Sequence, residues 1–145
     1  MPRSYVALDL ETTGLAPDRD AITEIGAVRF DLDGGSETFS TLVDPGQPIP
    51  YRIQRLTGIG DNDVAGAPQF AEIAADLKAF IGGDPVVGQN IRFDLGFLEK
   101  QRLRPPPLAL INSSSALTRS ASFNGDREVT GAGRKAGVGV FRRGR

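Results

Sequence analysis

The run Val6-Ala7-Leu8-Asp9-Leu10-Glu11-Thr12-Thr13-Gly14-Leu15 sets the tightest constraint on what this chain can fold into. It has the apolar content of a strand, yet it carries Asp9 and Glu11 two residues apart. Residues i and i+2 of a strand point to the same face, so the two carboxylates stand side by side. Like charges in that position repel. Within an apolar strand they need a neutralising partner, and a divalent cation held by oxygen ligands meets that need. Taken alone, the pair reads equally well as a solvated strand end.

What the sequence lacks narrows the ligand chemistry. It has no Cys and no His, so thiolate and imidazole ligands and a histidine base are excluded from it. Any metal site must be built of oxygen, which favours Mg²⁺, Mn²⁺ or Ca²⁺ over Zn²⁺. The 145 residues suffice for one domain with a core. No apolar run approaches the about 20 residues of a membrane helix, so no membrane partner is expected. The N-terminus enters the first strand without a charged-then-apolar signal segment, and the expected location is cytoplasmic.

The charge is unevenly distributed. Residues 1–107 carry a net charge of −6 and residues 108–145 a net +5. The composition changes at Pro105-Pro106-Pro107. The expected organisation is therefore one domain over 1–107 and a basic Gly/Ser/Arg-rich tail over 108–145, poorly ordered from about residue 112.

Tyr5–Leu10 is expected as the first strand, Ile22–Asp31 as the second and Glu37–Val43 as the third. Asp33-Gly34-Gly35 joins the last two as a hairpin. Pro50–Leu56 suits a short helix with proline at its first position. Pro68–Ile81 is the clearest helix, with Phe70, Ile73, Ala74, Leu77, Phe80 and Ile81 at i, i+3, i+4, i+7 spacing. Pro85-Val86-Val87-Gly88 reads as a short central strand. Asn90 is the expected N-cap of a helix running to about Leu103. That helix carries Asp94 in its first turn, and the Gly88–Asn90 turn suits its delivery to the end of the sheet.

Asp9-Leu10-Glu11-Thr12-Thr13-Gly14-Leu15, Glu24-Ile25-Gly26-Ala27 and Asn90-Ile91-Arg92-Phe93-Asp94 together resemble the DEDD, or DnaQ-like, 3′–5′ exonucleases. That family includes the epsilon proofreading subunit of bacterial DNA polymerase III. The segments Thr41–Pro45, Ile49-Pro50, Leu56–Ile59 and Asp63-Val64 are similar to exonuclease domains of DinG-type helicases or of Gram-positive polymerases. The resemblance spans residues 4 to about 104. It implies an α/β, ribonuclease-H-like fold, a mixed five-stranded sheet flanked by helices. It implies a two-metal Mg²⁺ or Mn²⁺ mechanism with Asp9, Glu11 and Asp94 as catalytic metal ligands, Asp9 bridging. It also implies that Thr12, Thr13, Gly14, Leu15 and Asn90 bind substrate, with Leu15 wedged against the terminal base. The implied substrate is a nucleic acid with a free 3′ end, single-stranded DNA above all, in replication or repair. A polymerase or helicase is the implied partner.

The chain departs from this pattern in one region. The resemblance calls for a fourth acid preceded by a His or Tyr base, well beyond the third acid. The sequence has no His, and its only tyrosines are Tyr5 and Tyr51. Asp126 and Glu128 lie in the Gly/Ser/Arg-rich stretch. The expectation is thus a C-terminally truncated domain whose end is replaced, as by a shifted reading frame. The alternative to an active enzyme is an inactive nucleic-acid-binding remnant or a fragment of a disrupted exonuclease gene. Single residues also have plainer readings. Asp94 could complement a helix dipole, Glu24 could be an ordinary hairpin residue, Thr57-Gly58 a turn, and Phe93 and Phe97 core.

Overall fold

The computed structural model describes residues 3–104 and 139–142. Alternation drives the sheet. β1 (Ser4–Thr12) buries Val6, Leu8 and Leu10 and turns Ala7, Asp9 and Glu11 to the other face. β2 (Ile22–Asp31) pairs with it antiparallel and buries Ile25 and Ala27. β3 (Ser36–Leu42) returns antiparallel to β2 through the expected hairpin. The Asp31 carboxylate accepts the Asp33 and Gly35 amides there at 2.9 and 2.8 Å, and Gly34 takes φ 89°.

The chain then forms α1 (Tyr51–Thr57), α2 (Asp61–Val64) and α3 (Phe70–Ile81). β4 (Val86–Val87) pairs with β1 in parallel, and α4 (Ile91–Lys100) follows it. β5 (Gly139–Arg142) lies antiparallel along β3. Among the described residues the sheet has the order β4-β1-β2-β3-β5. It is the mixed, helix-flanked α/β sheet expected from the sequence. Of the segment expected to be poorly ordered, Gly139–Arg142 is described and runs as a strand; the rest lies outside the described residues.

α3 and α4 cover the apolar face. Phe70, Ile73, Leu77, Phe80 and Ile81 of α3 and Ile91, Leu95 and Leu98 of α4 form one core with Val6, Leu8, Leu10, Ile25 and Phe39. Every side chain expected on the buried face of α3 is there, with Ala74 only partly buried. α1 and α2 sit over a separate cluster of Ile49, Ile59 and Val64.

Some of the differences from expectation have local reasons. Pro50 caps α1 rather than entering it, because its ψ of 137° is extended. α2 has no periodic signal, being one turn closed by the Asp63 carboxylate on the Gly60 amide at 2.7 Å. α4 ends at Lys100, and Leu103 folds back through its amide to the Leu98 carbonyl at 2.9 Å.

Arg29 ties the far end of the sheet together. Its guanidinium donates to Glu37 on the neighbouring strand at 2.7 Å and to Asp84, between α3 and β4, at 2.9 Å. It also donates to the Phe80 carbonyl and lies over the Phe80 ring. Only a planar fork satisfies all three directions. Arg29→Met should lower the urea-unfolding free energy by about 1–3 kcal/mol, and Arg29→Lys should recover less than half of that loss.

Candidate active site

The alternation that buries Leu8 and Leu10 places Asp9 and Glu11 together on the opposite face, as the sequence predicts. Asp9 is exposed and Glu11 half-buried. The ladder adds a third acid. Glu24 stands directly across from Glu11, whereas Asp9 faces Gly26, which leaves open space beside it. The register shifts between Glu11 and Thr12, so the chain bends away just past the second acid.

Asp94 reaches the same place from a different element. The parallel pairing of β1 with β4 stops at Ala7 and Val87, which leaves the rest of that β1 edge open. The Asp94 carboxylate occupies the opening and accepts the Leu10 backbone N–H. A tight turn brings it there. A Cβ on Gly88 would lie 2.7 Å from the Leu8 carbonyl oxygen, so only glycine lets the turn approach β1 this closely. Asn90 follows in the left-handed region at φ 52° and ψ 43°. It is the N-cap position as expected, but its side chain makes no capping bond and stays exposed. Its contribution is a backbone conformation that Asn tolerates better than most residues.

The electrostatics follow from this convergence. Asp94 is 4% exposed, and its Oδ2 is buried without a hydrogen-bond partner. Burial foremost, then the charges of Asp9 and Glu11, push its carboxyl up to about 7 against the opposing pull of the Leu10 amide. Asp9 is raised by loss of solvent. Glu11 is raised by burial, then by Asp9 and Glu24. Among the described residues no three acids are yet gathered closely enough to grip an ion. Their chemistry nevertheless fits one. All the donors are hard oxygens, they repel one another, and one buried oxygen lacks any partner. Asp9, Glu11 and Asp94 would hold a divalent cation, with Glu24 beside them.

The loop after β1 is fixed from within. Thr12 Oγ1 donates to the Gly14 carbonyl at 2.7 Å. Thr13 is 2% exposed, and its hydroxyl accepts from the Ala21 amide at 3.0 Å and from Gln47 Nε2 at 3.2 Å. The Asp20 carboxylate takes the Ala16 amide at 2.9 Å and fills the space where a Cβ on Gly14 would go. In this structure both threonine hydroxyls are committed to shaping the loop. What the loop offers outward is Leu15, 82% exposed. Phe93, partly buried, packs at 5.1 Å on Phe97 of the core, while Gly58 ends α1 in the left-handed region. Glu24, Gly88, Gln47 and Asp20 were not singled out as site residues from the sequence. The β1–β2 register is what sets Glu24 against Glu11, Gly88 already stood out in the turn that delivers Asp94, and only tertiary contact marks Gln47 and Asp20.

Comparison with known proteins decides the family. The exonuclease family model, RNase T, matches residues 6–105. The chain belongs to that exonuclease family. This exonuclease domain is 41% identical over 98 residues to the DNA polymerase III subunit epsilon of Treponema pallidum, covering 68% of this chain and 46% of that protein. It is 43% identical over 96 residues to the PolC-type DNA polymerase III of Clostridium perfringens, covering 66% of this chain and 7% of that protein. The chain thus spans less than half the length of these curated relatives. In fold it resembles exonuclease I from Methylocaldum szegediense, with a TM-score of 0.59 and 26% identity over 66% of this chain and 22% of that one. It also resembles exonuclease X, solved in complex with 5′ overhanging duplex DNA, with a TM-score of 0.58 and 24% identity over 73% and 57% of the two chains. The ribonuclease-H-like fold expected from the sequence is the fold of this family. No helix among the described residues is long and apolar enough to cross a membrane.

Two predictions follow from the geometry. Without metal, Asp94 titrates near 7 in the folded protein and near 3.8 when unfolded. Between those values the folded state binds more protons, so its contribution to stability is full below about pH 4 and is lost as the pH rises through about 7. Chelator-treated protein should melt at a lower temperature at about pH 8 than at about pH 6, and Asp94→Asn should flatten that difference. Added Mn²⁺ should reverse the order, raising the melting temperature more at the higher pH, because it binds deprotonated carboxylates. The second concerns Gly88. Gly88→Ala must push the turn away from Leu8, and Mn²⁺ affinity measured by calorimetry should fall on the order of tenfold or more.

Proposed function

We propose that this domain is a metal-dependent 3′–5′ exonuclease that hydrolyses phosphodiester bonds at nucleic-acid 3′ ends, with DNA as the substrate, in replication or repair. The observation that carries the reading is the buried, half-satisfied Asp94 carboxylate delivered to the open edge of β1 beside Asp9 and Glu11. The names of the relatives, a polymerase epsilon subunit and PolC-type polymerases, support a replication setting and a polymerase as partner.

When bound, Mg²⁺ or Mn²⁺ supplies activation of the attacking water and charge stabilisation of the leaving 3′ oxygen. Asp9, exposed and central, offers oxygens to the open side of the site. Glu11 and Asp94 close it from the strand and from the helix. Gly26, opposite Asp9, leaves room for a phosphate beside the carboxylates. Leu15 stands free at the rim to pack on the terminal base. Asn90, exposed at the start of α4, is the proposed contact to the sugar-phosphate.

One observation favours a second reading, binding without turnover. The sequence contains no histidine. Tyr5 stacks on Phe30 about 13 Å along the strand from Asp9, too far to act as a base beside it.

The test is incubation of the purified chain with 3′-labelled single-stranded DNA, or the matching RNA, and Mg²⁺ or Mn²⁺. Release of labelled nucleotide that Asp9→Ala reduces by at least about 10²-fold supports the enzyme. Saturable binding with no release establishes the second reading. Release that survives Asp9→Ala overturns the assignment of the site.

A further inference from the structure

We propose that the outward face of α1 is a track for the single strand of nucleic acid that leads to the active site; the proposal rests on the exonuclease reading above. Tyr51, Arg52, Arg55 and Leu56 are all exposed and occupy positions i, i+1, i+4 and i+5, one continuous stripe of a helix. The other face, with Ile53, packs on Ile49, Ile59 and Val64. The stripe therefore has a fixed orientation. Gln54 Nε2 donates to the Ile49 carbonyl at 2.8 Å, and the loop before α1 is tied to the active-site loop by Gln47 on Thr13 at 3.2 Å.

Charge decides the occupant. Residues 1–107 carry a net −6, so most of this surface repels a polyanion. α1 contributes two arginines and no acid. Among the described residues the ion pairs involve Arg29 and Lys100, and neither Arg52 nor Arg55 takes part in one. The acids next along the chain turn to the backbone rather than to either guanidinium: Asp61 accepts the Ile49 amide at 2.8 Å and Asp63 the Gly60 amide at 2.7 Å. Two guanidinium groups outside any ion pair beside an aromatic ring 73% exposed match a phosphate backbone with a stackable base. Leu56 alone makes no apolar patch of the size that marks a protein interface.

The track is tested by fluorescence anisotropy of a labelled oligothymidylate of about 12 nucleotides, titrated with the full chain in chelator at several salt concentrations. Removing two phosphate contacts lowers the slope of log K against log salt by about 1.4, at about 0.7 per single-strand contact. Wild type should therefore lose about sevenfold more affinity than the Arg52→Ala/Arg55→Ala variant between about 50 and about 200 mM salt. Arg52→Lys/Arg55→Lys should restore the slope. Tyr51→Ala should weaken binding about fivefold or more and leave the slope intact. Lys78→Glu, on the exposed side of α3, changes the net charge equally and should leave the slope as it is. An unchanged slope in the double arginine variant, or an equal fall in Lys78→Glu, overturns the track and leaves the α1 face to an acidic protein partner. Absence of any binding by wild type also overturns it. Release of labelled nucleotide by wild type, lost in Asp9→Ala, would still stand on its own, so failure of the track and failure of the exonuclease reading are separable.

Discussion

A carboxylate buried at the open edge of a strand governs this domain. β1 needs a partner for each edge amide it exposes, and β4 supplies partners only as far as Ala7. Asp94 then takes the Leu10 amide, which puts an ionisable group 4% exposed next to two other acids. Neither requirement is met well by the protein alone. The strand edge gains an acceptor, but one Asp94 oxygen stays unpaired and the carboxyl is pushed towards its neutral form. Burying such a group costs stability unless a proton or a cation accompanies it. The same contact that completes the sheet edge creates the demand for a proton or a cation.

The surrounding fold holds that contact in place from a distance. Leu8 and Leu10 anchor the apolar side of the strand that carries Asp9 and Glu11. Ile91, Leu95 and Leu98 seat α4 on the same core, so the register of the helix sets where Asp94 points. Gly88 permits the approach by omitting one carbon atom. At the far end Arg29 joins β2, β3, α3 and the loop into β4, which fixes the strand from which the Gly88 turn departs. Precision at a site of this kind comes from rigid elements rather than from the loop that closes it.

The parts written in a period were legible from the sequence. Alternation in Val6–Glu11 gave the face of each acid, and the 3.6-residue spacing of Phe70–Ile81 gave the buried face of α3. Asp94 was legible as a site residue because three short segments in order resemble one family. Pairing was not legible. No local pattern in Thr23-Glu24-Ile25 says that Glu24 faces Glu11, since that depends on how two strands slide past each other. The loop-shaping bonds of Thr12 and Thr13 were not legible for a related reason. Their hydroxyls meet Gly14, Ala21 and Gln47 only after a loop and a third strand have closed around them. Asn90 was placed correctly as a cap, but its left-handed backbone rather than its side chain makes the turn.

The charge distribution joins these local facts to the substrate. A surface with a net −6 over residues 1–107 is a poor host for a polyanion, and the acids of the site make it poorer still. A cation at Asp9, Glu11 and Asp94 would offset the repulsion only where the terminal phosphate must sit, and Coulomb screening confines that benefit to roughly a Debye length of about 10 Å. Nucleotides further up the strand need their own counter-charge. On the proposed track α1 supplies it, on a helix seated by Ile53 and linked through Gln47 to the loop that presents Leu15. Under the proposed function acidity is a specificity device: it disfavours nucleic acid that meets no counter-charge and favours a metal-loaded 3′ end with its leading strand.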